Sequence, residues 1–181
     1  MIFLWILGII VALILLKYAY LLLKRMILIR KIRKNADEIC FLRNRFRSVF
    51  KKDGKPDFTV KKGDRCISVS ILTTPFRKVR YHFDNNEKIE IFWERRGVFV
   101  MNPRVPGNNA AIDRSFRIRK YNIHFDTESD EIHYVILHPA PADITCASGA
   151  RRESLGNNDV LFGNIRICGS KFFLENILSE S

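Results

Sequence analysis

The side chains able to do chemistry in this chain are few and widely spaced. There are four cysteines and four histidines in 181 residues. Cys40, Cys66, Cys146 and Cys168 form no C-x-x-C pair of the kind that binds metal or exchanges disulfides. Cys66 and Cys168 fall within strand-like runs, where a thiol behaves as a small apolar group and burial is expected. His124 and His133 flank one hairpin turn, while His82 and His138 stand apart. A zinc site needs three or four convergent ligands, and neither H-E-x-x-H nor H-x-H spacing occurs, so no metal is expected. Asp126, Glu128 and Asp130 alternate like the start of a calcium loop, yet the loop glycine and the distal glutamate are missing. No G-x-S-x-G, phosphate-binding glycine loop, dinucleotide fingerprint or kinase signature is present, and no cofactor is expected. Catalysis is therefore the lesser reading: a hydrolase or transferase with His124, His133 or Cys146 involved.

Arginines supply the other candidate sites. Arg104 and Arg114 bracket the longest connection, and Arg151 and Arg152 sit in a second loop. Guanidinium groups on loops of a rigid scaffold suit carboxylate or phosphate recognition, so these loops are candidate partner-binding surfaces. The competing reading is that they are solvated turns.

What must position these groups begins at the amino terminus. Residues 1–16, MIFLWILGIIVALILL, carry no charge, and the apolar run resumes after Lys17 as far as Leu23. A hydrocarbon core about 30 Å thick needs ~20 helical residues, which places a transmembrane helix over 1–23. Lys17 lies near one end, where its stem lets the ammonium reach the headgroups. Tyr18 and Tyr20 fall at one interface and Trp5 at the other. A cleavable signal peptide would carry positive charge before the apolar run and an A-x-A site after it, and neither is present.

Basic residues cluster on one side of this span. Residues 1–50 hold ten Lys/Arg against two Asp/Glu; the remainder holds 21 against 17. Most of the net charge of +12 therefore lies beside the apolar run, where nucleic acid is not the expected partner. Lys24, Arg25, Arg30, Lys31, Arg33 and Lys34 directly follow the span and are expected to contact anionic lipid headgroups. The same asymmetry predicts an outward amino terminus, a cytoplasmic C-terminal domain and a single pass through the cell membrane.

From Met26 to about Phe50 there is neither Gly nor Pro, and Ile29, Ile32, Ala36, Ile39, Leu42, Phe46, Val49 and Phe50 recur at steps of three and four. The pattern predicts a basic amphipathic juxtamembrane helix over 24–52, its apolar stripe covered by the protein's own domain. Beyond Pro56 the period becomes two. Strands are expected at Asp57–Lys61, Arg65–Thr73, Arg77–Asp84, Glu87–Trp93, Val98–Met101, Arg114–Phe125, Glu131–Leu137, Asp143–Ser148 and Val160–Cys168. His138-Pro139-Ala140-Pro141 reads as an edge or a crossing between sheets, and Ser170–Leu178 as a short helix capped by Ser170.

The expected fold is thus mainly β with an N-terminal transmembrane helix. A membrane-anchored antiparallel β-sandwich or partly open barrel over 53–181 would follow the long juxtamembrane helix and end in a short C-terminal helix. Functionally this predicts a protein-binding or scaffold module tethered to the bilayer, with a protein partner at the membrane.

Overall fold

In the computed structural model, the described residues are 2–42, 54–76, 79–84, 88–94, 115–122, 131–148 and 151–179. Helix α1 (Ile2–Asn35) opens the chain. At the rise of an α-helix it is about 50 Å long. Among the described residues it is the one helix long and apolar enough to cross a membrane. Side chains from Trp5 to Leu16 are all exposed, whereas Leu21, Arg25, Leu28, Ile29 and Ile32 are buried. One rod thus carries two different surfaces in succession.

The helix stops earlier than its composition predicts. Residues 38–41 form strand β1 (Glu38–Phe41), which pairs antiparallel with β2 (Phe58–Lys62). Helix propensity is a weak prior and strand pairing overrides it here. Residues 43–52, the remainder of the expected juxtamembrane helix, lie outside the described residues. The apolar stripe is covered as far as Ile39: Ile29 and Ile32 are buried, with Ala36 and Ile39 packed against the same cluster, whereas Leu42 is exposed.

Two sheets follow, both mixed and neither closed. The first has the order β1-β2-β3-β7-β11-β10 and adds β3 (Arg65–Thr73), β7 (His133–His138), β10 (Asp159–Phe162) and β11 (Ile165–Gly169). The second has the order β6-β5-β4-β8-β9 and comprises β4 (Val79–Asp84), β5 (Lys88–Glu94), β6 (Ser115–Asn122), β8 (Asp143–Ser148) and β9 (Arg151–Ser154). Each antiparallel pair joins strands that are consecutive in the chain. The expectation of wholly antiparallel pairing fails at three places, because β7 runs parallel to both β3 and β11, and β8 runs parallel to β4. Parallel neighbours come from chain crossings, which leave no hairpin signal in the sequence.

The crossings are stacked. The chain passes from the first sheet to the second between β3 and β4, and again between β7 and β8. Thr74 N–H donates to His138 O (3.1 Å) and Ala142 N–H to Val79 O (2.9 Å), so one crossing lies on the other. The segment His138–Pro141, whose first peptide bond is cis, is the second of these. Two further readings are corrected. Val160–Cys168 is two strands, separated at Gly163, whose φ of 51° suits glycine. Arg151–Ser154 is a strand at the edge of the second sheet and not part of a loop.

Period-two alternation gives the first sheet two apolar faces. Leu72, Val135, Leu137, Ile165 and Ile167 pack in one cluster with Tyr81, Phe83, Ile89 and Ile144 of the second sheet. On the opposite face Phe58, Val60, Val69, Ile71 and Ile136 pack against Leu28 and Ile32 of α1. The same cluster takes in Phe173 and Leu178 from the chain end, where a single α-turn, α2 (Ser170–Phe172), continues as a π-helical turn at Phe173–Ile177. Ser170 is not the cap of α2. Gly169 occupies that position, and Ser170 Oγ lies 2.9 Å from His138 Nδ1 instead.

Candidate functional site: the docked helix and a cleft beside it

The direction of α1 against the first sheet follows from its polar contacts. Arg25 Nη1 donates to the Ile71 carbonyl (3.0 Å), near the C-terminal end of β3. Just past the end of α1, Asp37 accepts from Gly63 N–H (2.7 Å) in the β2–β3 turn, at the other end of that strand. Gly63, with φ of 56°, makes this tight turn possible. The helix therefore runs antiparallel to β3, and the C-terminal ends of β3, β7 and β11 point toward its apolar segment. Both stacked crossings lie at that same end.

The candidate lipid-contact residues divide. Arg25 is 3% exposed and its Nη2 lies 2.8 Å from Asp57 Oδ2, so its charge is committed inside the protein. Lys24 is half-buried, with Nζ 4.6 Å from the centre of the Tyr20 ring, a cation–π contact. Arg30, Lys31, Arg33 and Lys34 are exposed. Arg104 and Arg114 lie outside the described residues; Arg151 and Arg152 pair with Ser148 and Ala147 in the backbone register of β9.

Of the residues proposed for catalysis, the two that are described, His133 and Cys146, do not come together. Cys146 is in the core between the sheets, His133 is on the first sheet, and His124 lies outside the described residues. His133 does meet a serine: its Nε2 is 2.8 Å from Ser70 Oγ. That oxygen also donates to the Lys55 carbonyl (3.2 Å). The single hydroxyl proton serves one acceptor at a time: when it goes to the Lys55 carbonyl, the imidazole N–H is the donor in the contact with Ser70. Both side chains are buried. Burial lowers the His133 pKa to about 4, against a smaller opposing pull from the Asp57 carboxylate. Ser68, whose Oγ donates to Glu131 (3.0 Å), completes a buried polar row with structural contacts.

The thiols are equally unreactive where buried. Loss of solvation pushes Cys168 up to about 12. Cys66, expected inside, is exposed, as is Cys40. Among the described residues no three His, Cys, Asp or Glu side chains gather as a metal site.

A cleft of about 540 Å³ opens beside the second crossing. Its rim and floor include Ala140, Asp143, Asn157, Gly169, Lys171 and Glu175. The loop forming one wall is pinned: Asn157 Oδ1 accepts from Gly169 N–H (2.7 Å), and Asn158, at φ of 70°, accepts from Tyr134 Oη (2.9 Å). Asp143 is held by Ser154 Oγ (3.2 Å) and Arg80 (3.1 Å). Lys171 and Glu175 face each other loosely at 3.8 Å, both largely in solvent. Sequence reading missed this cleft, since its residues come from three distant segments without a shared motif. His138 at the end of β7 adjoins it through Ser170, and burial together with Lys24 and Lys31 lowers its pKa.

Compared with protein-family models, with curated proteins and with solved structures, the chain shows no match.

Proposed function

We propose that this chain is a single-pass membrane protein that holds a binding or scaffold module, a two-sheet β-sandwich, against the cytoplasmic face of the bilayer. One observation carries the reading: the apolar residues of α1 are bare on every side from Trp5 to Leu16, while from Leu21 onward one face of the same helix, Leu21, Arg25, Leu28, Ile29 and Ile32, is buried. Bare apolar surface on that scale calls for an apolar surrounding. Residues 2–20 make about 28 Å of helix, close to the ~30 Å of hydrocarbon they would cross. The span then gives way to the domain at Leu21, two residues before the limit read from composition. Lys24 lies at headgroup level, the exposed cations above it add attraction to anionic lipid, and the domain presents its remaining surface to a protein partner.

The orientation rests on loop charge. A reporter domain fused after Ser181 is expected to be active only as a cytoplasmic fusion. Activity on the opposite side reverses the orientation. Full-length protein, solubilised and used as bait, is expected to retain a membrane-associated protein that an α1-only control does not. Turnover of a substrate with no such partner would replace a binding module by an enzyme.

A further inference from the structure

The stacked crossings, the cleft and α1 stand in a fixed spatial relation. Gly169 on the cleft floor shares a rung with Leu137, and Leu137 shares one with Leu72. Leu72 is one residue beyond Ile71, whose carbonyl receives Arg25. Arg25 is four residues, about 6 Å, past Leu21, and one strand residue toward the span recovers about 3 Å of that. The cleft floor thus lies about 3 Å above the level of Leu21. A headgroup layer is roughly 5–8 Å deep on each side of the hydrocarbon. In the first sheet β11 is two strands from β3. Sideways that is about 10 Å at ~4.8 Å per strand. With α1 upright in a bilayer, a cleft at that height and distance would stand at the level of the headgroups of neighbouring lipids.

Its lining has a defined charge pattern. Lys171 supplies one cation and Glu175 one carboxylate; the Asp143 carboxylate is already held by Arg80 (3.1 Å) and Ser154 (3.2 Å), and Asn157 and Asn176 add carboxamides. An anionic headgroup would meet the Glu175 carboxylate, and a lone cation would meet the Lys171 ammonium. A zwitterion with phosphate beside an ammonium matches both. A primary ammonium donates up to three hydrogen bonds to carboxylates, whereas a trimethylammonium donates none.

We propose that this cleft binds the headgroup of an ethanolamine phospholipid, phosphate toward Lys171 and ammonium toward Glu175. The proposal rests on the membrane-anchor reading and goes beyond it by naming a ligand.

The test uses the full chain in detergent micelles with added phosphatidylethanolamine, phosphatidylcholine or phosphatidylglycerol, read by native mass spectrometry. One equivalent of phosphatidylethanolamine is expected to be retained about tenfold better than either other lipid, as one charge-assisted hydrogen bond of ~1.5 kcal/mol implies. Lys171→Ala and Glu175→Gln, both at solvent-facing positions, should each reduce retention severalfold. Ala140→Trp at the rim should abolish it, with circular dichroism confirming an intact fold. Equal retention of the three lipids, or retention indifferent to all three substitutions, overturns the proposal. Equally tight binding of soluble glycerophosphoethanolamine would overturn a membrane source. Extraction of the chain from vesicles by alkaline carbonate would instead defeat the anchor reading, which keeps the two failures distinct.

Discussion

Arg25 and Asp57 are joined to each other and to the same third residue. Asp57 Oδ2 receives Arg25 Nη2 at 2.8 Å and the Ile71 N–H at 2.8 Å, while Arg25 Nη1 donates to the Ile71 carbonyl at 3.0 Å. A cation from the helix and an anion from the chain leading into β2 thereby clamp one residue of β3. Both charges are out of water, so each depends on the other. The pair fixes where the rod meets the sheet, and every height assigned above follows from it.

Removing one partner should be costly. Asp57→Ala strands the guanidinium in the interior and is expected to lower stability by about 3–5 kcal/mol. Arg25→Met combined with Asp57→Ala should cost less than the two single losses added together, by at least about 1 kcal/mol. Denaturant titration of the four proteins in one detergent measures this, and strict additivity would show that the two charges do not depend on each other.

His133 predicts an acid limit to stability. Its folded pKa of about 4 lies below the ordinary value of 6.5. The unfolded chain therefore takes up a proton first as pH falls. Stability from this group is complete above pH 6.5 and declines between 6.5 and about 4. The whole decline amounts to about 3 kcal/mol. His133→Gln should flatten that portion of the stability–pH curve while lowering the plateau. A wild-type curve that rises on acidification through the window would contradict the burial of a neutral imidazole.

Thiol labelling should separate the cysteines into two pairs. In native protein, Cys40 and Cys66 are exposed and should react with a maleimide within minutes. Cys146 and Cys168 are buried, and Cys168 is held protonated by its raised pKa, so both should react only after unfolding. Four fast thiols would mean that the two core clusters are open.

The cations after the span should not be equivalent toward anionic vesicles. Lys24 lies about 4.5 Å beyond Leu21, and Arg33 and Lys34 about 18–20 Å, measured along the helix. With a Debye length of about 8 Å at physiological salt, attraction falls off over that distance. With the chain inserted in mixed vesicles, Lys24→Gln should lower the salt-sensitive enrichment of phosphatidylglycerol among co-purifying lipids more than Arg33→Gln and Lys34→Gln together. The opposite order would mean that the helix lies along the surface.

Several strands are legible from alternation alone: Arg65–Thr73 and Asp143–Ser148 begin and end where the pattern does. The apolar stretch of α1 is equally plain. What escapes local reading is pairing at a distance, since Ser68 meets His133 without any turn between them to announce it. Glu38–Phe41 is misleading for a related reason: its residues are compatible with a helix, and only the presence of β2 makes them a strand. Lysine and arginine after the span suggest a uniform basic face, yet Arg25 is turned inward by Asp57, an acid from beyond the first strand. The cleft was beyond reach because its lining is assembled from the second crossing, the connection between β9 and β10, and the helical turns after β11.

Those stacked crossings also impose a timetable on biosynthesis. The first can form once β4 has been made, but β3, already paired with β2, gains its parallel neighbour only when β7 appears, about sixty residues after β3 is complete. At ~5–20 residues per second that delay is about 3–12 s, during which one edge of an apolar strand waits unpaired. On the membrane-anchor reading, a helix already in the bilayer would hold each unfinished chain on a surface, apart from others in solution. The anchor would then serve the nascent protein before it serves the mature one, and a chain shorn of the segment ahead of Leu21 should aggregate during synthesis even where the finished domain is stable.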